Sequence, residues 1–212
     1  MSEKTQCIVL AGGRSSRFVA PDGNVRNKYL MPLKGKRTID WVVHSVLTVF
    51  SSVTVVSNDP ISFTQSSIRV IADGARISTR SSLYGIYNAL SLAKGKRVMI
   101  VAGDMPFIHS ELIAYLNRIE HSADLLIPEV NHFLQPMPAV YSPTCLSVVE
   151  DQVTVENYRI LDIFNKLSLS VVTMEEVVKL DPFLGSFFNM NSWADYEHAI
   201  QYCNTMLNPS IY

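Results

Sequence analysis

The sequence predicts a three-layer α/β sandwich, in which a mostly parallel sheet carries helices on both faces. Short apolar segments alternate along the chain with longer segments of helical period, which is typical of α/β domains. Residues 97–102 (RVMIVA) are almost continuously apolar, as expected of a strand covered by helices on both sides. Since 48% of the 212 residues are apolar, the chain can build a full core, and we expect one domain over residues 1–212.

The strands are predicted where short apolar runs are bounded by turn residues. The run 53–57, for example, stops at Asn58-Asp59-Pro60, which has the composition of a turn. The predicted strands are residues 6–10, 53–57, 68–72, 97–102, 124–128, 138–142 and 169–173, with a strand-like segment at 187–190.

The helices are predicted where apolar side chains recur every three or four residues. In residues 38–50 the side chains that share one face are Ile39, Val42, Val43, Val46 and Phe50. The predicted helices are residues 38–50, 83–93, 110–119, 156–167 and 193–207. Residues 19–26 (VAPDGNVR) have turn composition, and we expect a mobile loop there.

Composition and charge argue against several classes of protein. Lys and Arg total 18 against 19 Asp and Glu, so the net charge of -1 disfavours a broad basic face for nucleic acid. The three cysteines form no CxxC pair and the five histidines have no metal-ligand spacing, which argues against a disulfide framework or a zinc site. No apolar run approaches the roughly 18 residues of a membrane span. We therefore expect a soluble, cytoplasmic protein.

The first predicted strand runs into a segment suited to phosphate. Ligands of an open parallel sheet bind at the carboxyl ends of its strands. There, Gly12 and Gly13 allow backbone N–H groups to approach phosphate oxygens, and Arg14 and Arg17 add positive charge. The spacing matches neither GxGxxG nor GxxxxGK[ST]. An ordinary strand-to-helix turn explains it equally well.

Two charged residues extend this hypothesis. Lys28 alone would usually be solvated, but after a phosphate loop it can reach the same phosphates. Asp104 follows the most apolar strand, where a carboxylate is a natural Mg²⁺ ligand. The alternative for Asp104 is a helix cap, which the neighbouring Pro106 also fits.

Three further polar residues follow predicted strands. Asp73 closes residues 68–72, although Asp-Gly is also a common turn. Asn189 and Asn191 are two residues apart and would share one face of a strand. Their amide oxygens suit a hard cation or its waters, and the alternative is a solvated sheet face.

Five segments together are more specific than any one of them. They are LAGGRSSRF (10–18), NKYLMPLKGK (27–36), VAGDMPFI (101–108), QPMPAVY (135–141) and FFNMNSWADYEHA (187–199). In this order they resemble the nucleotidyltransferases related to the molybdenum cofactor guanylyltransferase, from residue 6 to about 200. The resemblance implies a Rossmann-like sheet of the nucleotide-diphospho-sugar transferase type.

The resemblance also implies an activity and a set of site residues. The activity is Mg²⁺-dependent transfer of GMP from GTP to the terminal phosphate of molybdopterin, with release of pyrophosphate. It implies GTP and molybdopterin as partners, and it allows contacts with other molybdenum cofactor biosynthesis proteins or acceptor molybdoenzymes. The implied nucleotide-binding residues are Leu10, Ala11, Gly12, Gly13, Lys28, Asn58, Asp73, Gly85 and Asp104. The implied catalytic residues are Arg14, Arg17, Lys28 and Asp104, the metal ligands are Asp104, Asn189 and Asn191, and Arg159 faces the pterin side.

Two departures from the family pattern leave alternatives open. The family's Gly-Pro-Leu-Ala-Gly reads Ser81-Ser82-Leu83-Tyr84-Gly85 here, which leaves the base open, although Gly12-Gly13 resembles guanylyl rather than cytidylyl enzymes. The family's His-Pro pair is Gln135-Pro136, which leaves the acceptor open. The alternatives are a nucleotidyltransferase that uses CTP or a sugar-phosphate, phosphoalcohol or other pterin acceptor, and a non-catalytic nucleotide-binding protein.

Overall fold

The structure, a computed structural model, describes residues 5–12, 18–58, 61–72 and 81–206. Its strands are β1 (Gln6–Leu10), β2 (Pro32–Leu33), β3 (Lys36–Arg37), β4 (Val53–Val56), β5 (Ile68–Ile71), β6 (Val98–Ala102), β7 (Leu125–Val130), β8 (Phe133–Leu134), β9 (Ala139–Tyr141) and β10 (Leu169–Val172). The main sheet has the order β10-β7-β9-β6-β1-β4-β5, β8 pairs with β7, and β2 and β3 form a separate hairpin.

Most neighbours in the main sheet are parallel. β1 pairs in parallel with both β4 and β6, β4 with β5, and β7 with β10. β9 lies antiparallel between β6 and β7. The carboxyl ends of β1, β4, β6 and β7 therefore meet at one edge of the sheet, which is where ligands of such sheets bind.

Helices cover both faces of this sheet. They are α1 (Thr38–Leu47), α2 (Ser82–Ala93), α3 (Ser110–Arg118), α4 (Cys145–Thr154), α5 (Leu161–Phe164), α6 (Met174–Leu180) and α7 (Trp193–Met206). One core cluster joins α1, α3 and α6 to Met99 and Val101 of β6, and a second joins α2, α4 and α5 to Val98 and Ile100. β6 is thus buried on both faces, and the predicted three-layer sandwich is confirmed.

A third cluster holds α7 against the hairpin of β2 and β3. It is centred on Phe18, Leu33, Met190 and Tyr196. The Tyr196 hydroxyl donates to the carbonyl of Pro32 at 2.7 Å. Because Met190 is fully buried here, the segment between β10 and α7 is fixed beside the edge of the sheet.

The predicted strands of the main sheet agree with the structure to within two residues, but the helix predicted over 156–167 is wrong. α4 ends at Thr154, and Glu156 has a φ of +57°, which a helix cannot contain. The Gln152 amide donates to the carbonyl of Arg159 at 2.7 Å and closes this turn. Helical structure resumes only over Leu161–Phe164.

The strand predicted over 187–190 is also wrong. Gly185–Phe187 forms a 3-10 helix, and residues 188–191 lie outside the sheet. The buried Asp181 carboxylate accepts from the backbone N–H groups of Gly185 and Ser186 at 3.1 and 2.7 Å, which favours this turn over an extended strand. Asn189 and Asn191 therefore do not share a sheet face.

Residues 19–26, predicted to form a mobile loop, form a short hairpin. Ala20 N–H donates to the carbonyl of Asn24, and Arg26 N–H donates to that of Phe18, both at 2.9 Å. Asp22 and Arg26 add an exposed ion pair at 2.5 Å.

In the described part of the chain, no helix has the length and apolar character needed to cross a membrane.

Candidate active site

A buried ion pair lies at the carboxyl edge of the sheet. Lys28 Nζ donates to Asp104 Oδ2 and, at 2.7 Å, to Asn191 Oδ1. The side chains of Lys28 and Asp104 are only 11% and 10% exposed. Lys28 is therefore not a solvated surface lysine. We call Lys28, Asp104 and Asn191 the ion-pair cluster.

Local structure near β2 places Lys28 in this cluster. Lys28–Leu30 is a 3-10 helix whose N-cap, Asn27, accepts from Tyr29 N–H at 3.0 Å. The Tyr29 hydroxyl donates to the carbonyl of Gly12 at 3.2 Å. Lys28 is thereby held next to the segment that follows β1.

Gly103 places Asp104 directly after β6. Its N–H donates to the carbonyl of Leu10 at 2.8 Å, which continues the pairing of β6 with β1. A Cβ at this position would lie 2.8 Å from Ile39 Cδ1 and 3.1 Å from Ala11 Cβ. A side chain here would displace Ile39 and crowd Ala11, so glycine allows the two strand ends to approach closely without such shifts.

Asn191 joins the cluster through the segment that precedes α7. Met190 N–H donates to the carbonyl of Asp104 at 2.9 Å. The Asp195 carboxylate accepts from the N–H groups of Asn191 and Ser192 at 2.9 and 2.7 Å. Burial opposes the charge on Asp195, but these bonds and the Ser192 hydroxyl outweigh it, so the pKa of Asp195 is lowered. The cluster therefore rests on a fixed turn.

The two predicted asparagine ligands have different surroundings. Asn191 contacts Lys28, whereas the Asn189 side chain donates to the carbonyl of Phe187 at 3.1 Å. The structure therefore brings Lys28, Asp104 and Asn191 together and directs the amide group of Asn189 to its own turn. A metal-binding role for Asn189 stays a prediction.

The segment predicted to hold the nucleotide lies beside this cluster. Leu10 ends β1, and Ala11 N–H donates to the carbonyl of Val56 at 2.9 Å. Asn58 follows β4 at the same edge. Gly85 lies in α2, where a Cβ would stand 3.0 Å from Leu10 Cδ1. Gly85 therefore lets α2 pack closely on the end of β1.

The first turn of α2 also faces this region through its packing on Leu10. Its N-cap is Ser81, whose hydroxyl accepts from Tyr84 N–H at 3.1 Å. The change from the family's Gly-Pro thus places an N-capping serine at the start of this helix.

The predicted residues Gly13, Arg14, Arg17 and Asp73 lie outside the described residues, and their roles stay predictions.

The alternative role proposed for Asp104, a helix cap, is wrong. The next helix is α3, and its N-cap position is His109. Asp104 instead uses its carboxylate for Lys28 and its carbonyl for Met190. Its position therefore serves the cluster rather than the helix.

The donor atoms of the cluster fit Mg²⁺. Within residues 5–12, 18–58, 61–72 and 81–206, no group of three or more His, Cys, Asp or Glu side chains could hold a metal by itself. Asp104 and Asn191 supply one carboxylate and one amide oxygen. Mg²⁺ typically takes one or two protein carboxylates and completes its shell with water and substrate phosphates. The donor set of the cluster therefore meets the requirements of such an ion.

Sequence reasoning missed a second feature, a groove of about 610 Å³ beside the cluster. Its lining includes Phe107, Phe133, Gln135, Phe183, Phe188 and Tyr202, and we call it the aromatic groove. The sequence marks Gln135 as a departure from the family pattern, but nothing in it marks the aromatic neighbours of Gln135 as part of a site. Arg159, predicted to face the pterin, is 72% exposed and pairs with Asp162 at 3.6 Å. It is not among the residues lining the groove.

Comparison with known proteins identifies the family. The family model of the MobA-like NTP transferase domain matches residues 7–168, which include most of β1 together with Lys28 and Asp104. The chain belongs to the MobA-like NTP transferase family. It is 34% identical to a protein of Natranaerobius thermophilus named “Probable molybdenum cofactor guanylyltransferase”, over 95% of this chain and 98% of that protein.

Other relatives of this MobA-like chain agree. A “Molybdenum cofactor guanylyltransferase” of Desulfosudis oleivorans is 32% identical over 91% of this chain and 92% of its own length. The crystal structure of molybdopterin-guanine dinucleotide biosynthesis protein A from Archaeoglobus fulgidus matches with a TM-score of 0.77 at 26% identity. That match covers 95% of this chain and 100% of the other. The α/β nucleotidyltransferase fold of the MobA-like family is thus confirmed.

Proposed function

We propose that this chain transfers GMP from GTP to the terminal phosphate of molybdopterin and releases pyrophosphate in a Mg²⁺-dependent reaction. The observation that carries the proposal is the ion-pair cluster at the carboxyl edge of the sheet, next to the end of β1. Relatives that match nearly the whole chain are named molybdenum cofactor guanylyltransferases. Their names support GTP as the donor and the molybdenum cofactor precursor as the acceptor.

This reaction needs no general base. The acceptor is a phosphomonoester, which is largely dianionic at neutral pH because its second pKa is about 6. It is therefore already a nucleophile. The enzyme mainly has to align two anions and offset their repulsion, which is a task of positioning and electrostatics.

In the proposed reaction, separate residues hold the metal and the phosphates. Asp104 and Asn191 would hold Mg²⁺. When bound, the ion supplies positive charge beside the phosphate oxygens. Lys28, which contacts Asp104 in this structure, would donate to the triphosphate. Arg14 and Arg17 stabilise the leaving pyrophosphate.

The base and the acceptor are tested by the release of pyrophosphate. The purified protein is incubated with Mg²⁺, molybdopterin and each of GTP, CTP, ATP and UTP, and then with GTP and a sugar phosphate or phosphoalcohol. We expect release with GTP and molybdopterin. Preference for CTP, or for another acceptor, would support one of the alternative transferases, and no release with any pair would support a non-catalytic nucleotide-binding protein.

The cluster itself is tested by Asp104→Asn, which keeps the shape of the side chain and removes its charge. We expect turnover to fall at least about a thousandfold, because metal-ion stabilisation supplies several kcal/mol. The control is Asp151→Asn, at an exposed position on α4, which should retain normal turnover. Near-normal turnover of Asp104→Asn would reject the role of the cluster.

A further inference from the structure

We propose that the aromatic groove binds the planar bicyclic ring of the acceptor, with Phe133 and Phe183 as the side chains that face the ring. This inference rests on the proposed function, because it assigns a place to the pterin part of molybdopterin. It adds to that function two residues that the family resemblance did not single out.

The first argument is the position of the groove relative to the cluster. Phe107 lies three residues after Asp104, and Phe188 precedes the turn in which Met190 donates to Asp104. A Cβ on Gly185 would lie 3.2 Å from the carbonyl of Phe107, so the two segments are in close contact. The groove therefore adjoins the ion-pair cluster.

The second argument is the order of the strands. The segment assigned to the nucleotide follows β1 and lies toward β4, on one side of β6. The groove lies on the other side of β6. There it is lined by Phe133, which is in β8, and by Gln135, which follows β8 directly. Asp104, at the end of β6, lies between them. A phosphate at Asp104 can thus join a nucleotide on one side to a ring on the other.

The third argument is the character of the walls. At the base, the ring of Phe107 packs against Tyr202 and Phe188, with centroids 4.4 and 5.6 Å apart. Phe133 and Phe183 are 72% and 69% exposed, although both line the groove. Two exposed aromatic side chains on one groove form an apolar patch of the kind that a ligand covers. Offset stacking against a flat ring is the contact that such side chains favour.

The fourth argument is the polarity of the groove. Among its lining residues in the described part of the chain there is no Lys, Arg, Asp or Glu. His198 also lines the groove, and among the lining residues that the structure describes its imidazole is the one side chain that can carry a positive charge, so a triphosphate finds few partners while a neutral heteroaromatic ring fits. Gln135 Nε2 donates to the carbonyl of Phe133 at 3.1 Å, and Oε1 remains an acceptor for an N–H of the ring. An amino-oxo bicycle such as pterin presents such N–H groups at its edge.

The test uses pterin itself, which carries no phosphate, together with molybdopterin in the transfer assay. Phe133→Leu and Phe183→Leu keep an apolar side chain and remove the aromatic ring. We expect each to raise the KM for molybdopterin and the Kd for pterin, measured by its fluorescence, about tenfold. The kcat at saturating molybdopterin and the Kd for GTP should stay within about twofold, because the sites are separate.

The control is Val155→Ala, at a position that is 74% exposed and does not line the groove, and it should change none of these values. An unchanged KM for molybdopterin in both Phe variants would overturn the assignment while leaving the proposed function intact. If the wild-type protein transfers GMP only to another acceptor, the proposed function fails instead. If the variants alter only self-association, measured by sedimentation, the groove is an interface between copies and the inference is wrong.

Discussion

The two sides of β6 are built from different parts of the chain. On the side of β1, the candidate nucleotide segment is shaped by backbone contacts, with Ala11 N–H bonded to Val56 and Gly103 N–H bonded to Leu10. On the side of β7, the aromatic groove is made of side chains from four places: the β7–β8 hairpin, the segment after β6, the segment that precedes α7, and α7 itself. Phosphates can be bound by backbone N–H groups, whereas a ring is recognised by the shape of side chains.

The ion-pair cluster lies where these two sides meet, and in the proposed reaction Lys28 takes part in the binding of both the metal and the triphosphate. The ammonium group occupies the carboxylate oxygen that the metal would use. Metal binding and the movement of Lys28 toward the triphosphate are therefore linked. In this structure the lysine neutralises a buried carboxylate that would otherwise lie unpaired.

The largest effect that separates these roles is expected from Lys28→Met. Without the competing ammonium group, Asp104 should bind Mn²⁺ at least about tenfold more tightly in the absence of nucleotide, since a contact at about 4 Å involves roughly 4 kcal/mol of raw Coulomb energy. The affinity for GTP should weaken by at least about tenfold, because the phosphates lose a charged donor. Electron paramagnetic resonance of Mn²⁺ and calorimetry with GTP measure the two changes.

The control for this experiment is Lys179→Met, at an exposed position on α6. It removes the same charge at an exposed position that is not part of the cluster, and it should leave both affinities unchanged. If Lys28→Met fails to strengthen the binding of Mn²⁺, the lysine does not compete with the metal. If it strengthens the binding of both ligands, Lys28 has no role toward the triphosphate.

The sequence was most informative where burial and strand ends determine the structure. The apolar run over 97–102 predicted β6, and its position in the sheet made Asp104 a candidate ligand. The capping box of Thr173 and Glu176 is likewise a local signal for the start of α6, a helix that the apolar periodicity alone does not predict. Local chemistry of this kind can be read without knowledge of the fold.

Other features depend on contacts between distant segments. The helix predicted over 156–167 cannot start at Glu156, because this residue has a positive φ, and only Leu161–Phe164 is helical. No local sequence pattern indicates this backbone conformation. No sequence pattern distinguishes the exposed Phe133 and Phe183 from buried core residues such as Phe18. Exposure is a property of the assembled fold, and for this reason the aromatic groove was missed.

A smaller effect is expected from Gly103→Ala. This variant tests whether nucleotide binding and ring binding both depend on the close approach of the ends of β1 and β6. The new methyl group would meet Ile39 Cδ1 and the Ala11 Cβ, and overpacking of this kind costs about 1–3 kcal/mol. We expect a lower free energy of unfolding in urea and weaker binding on both sides. The double variant Gly103→Ala with Ile39→Val should recover part of the loss. No change in stability would mean that the strand ends can separate freely.

The smallest effect is expected from Ser81→Ala, which tests whether the start of α2 belongs to the nucleotide side. Loss of this N-cap should reduce the free energy of unfolding by about 1 kcal/mol. Thr173→Ala removes the N-cap of α6 and is a matched control with a similar loss of stability. Because α2 packs on Leu10, Ser81→Ala should also weaken GTP binding in calorimetry, whereas Thr173→Ala should not. If the two variants change the affinity for GTP equally, the first turn of α2 is not part of the nucleotide side. The packing of Gly85 on Leu10 would then contribute only to the core.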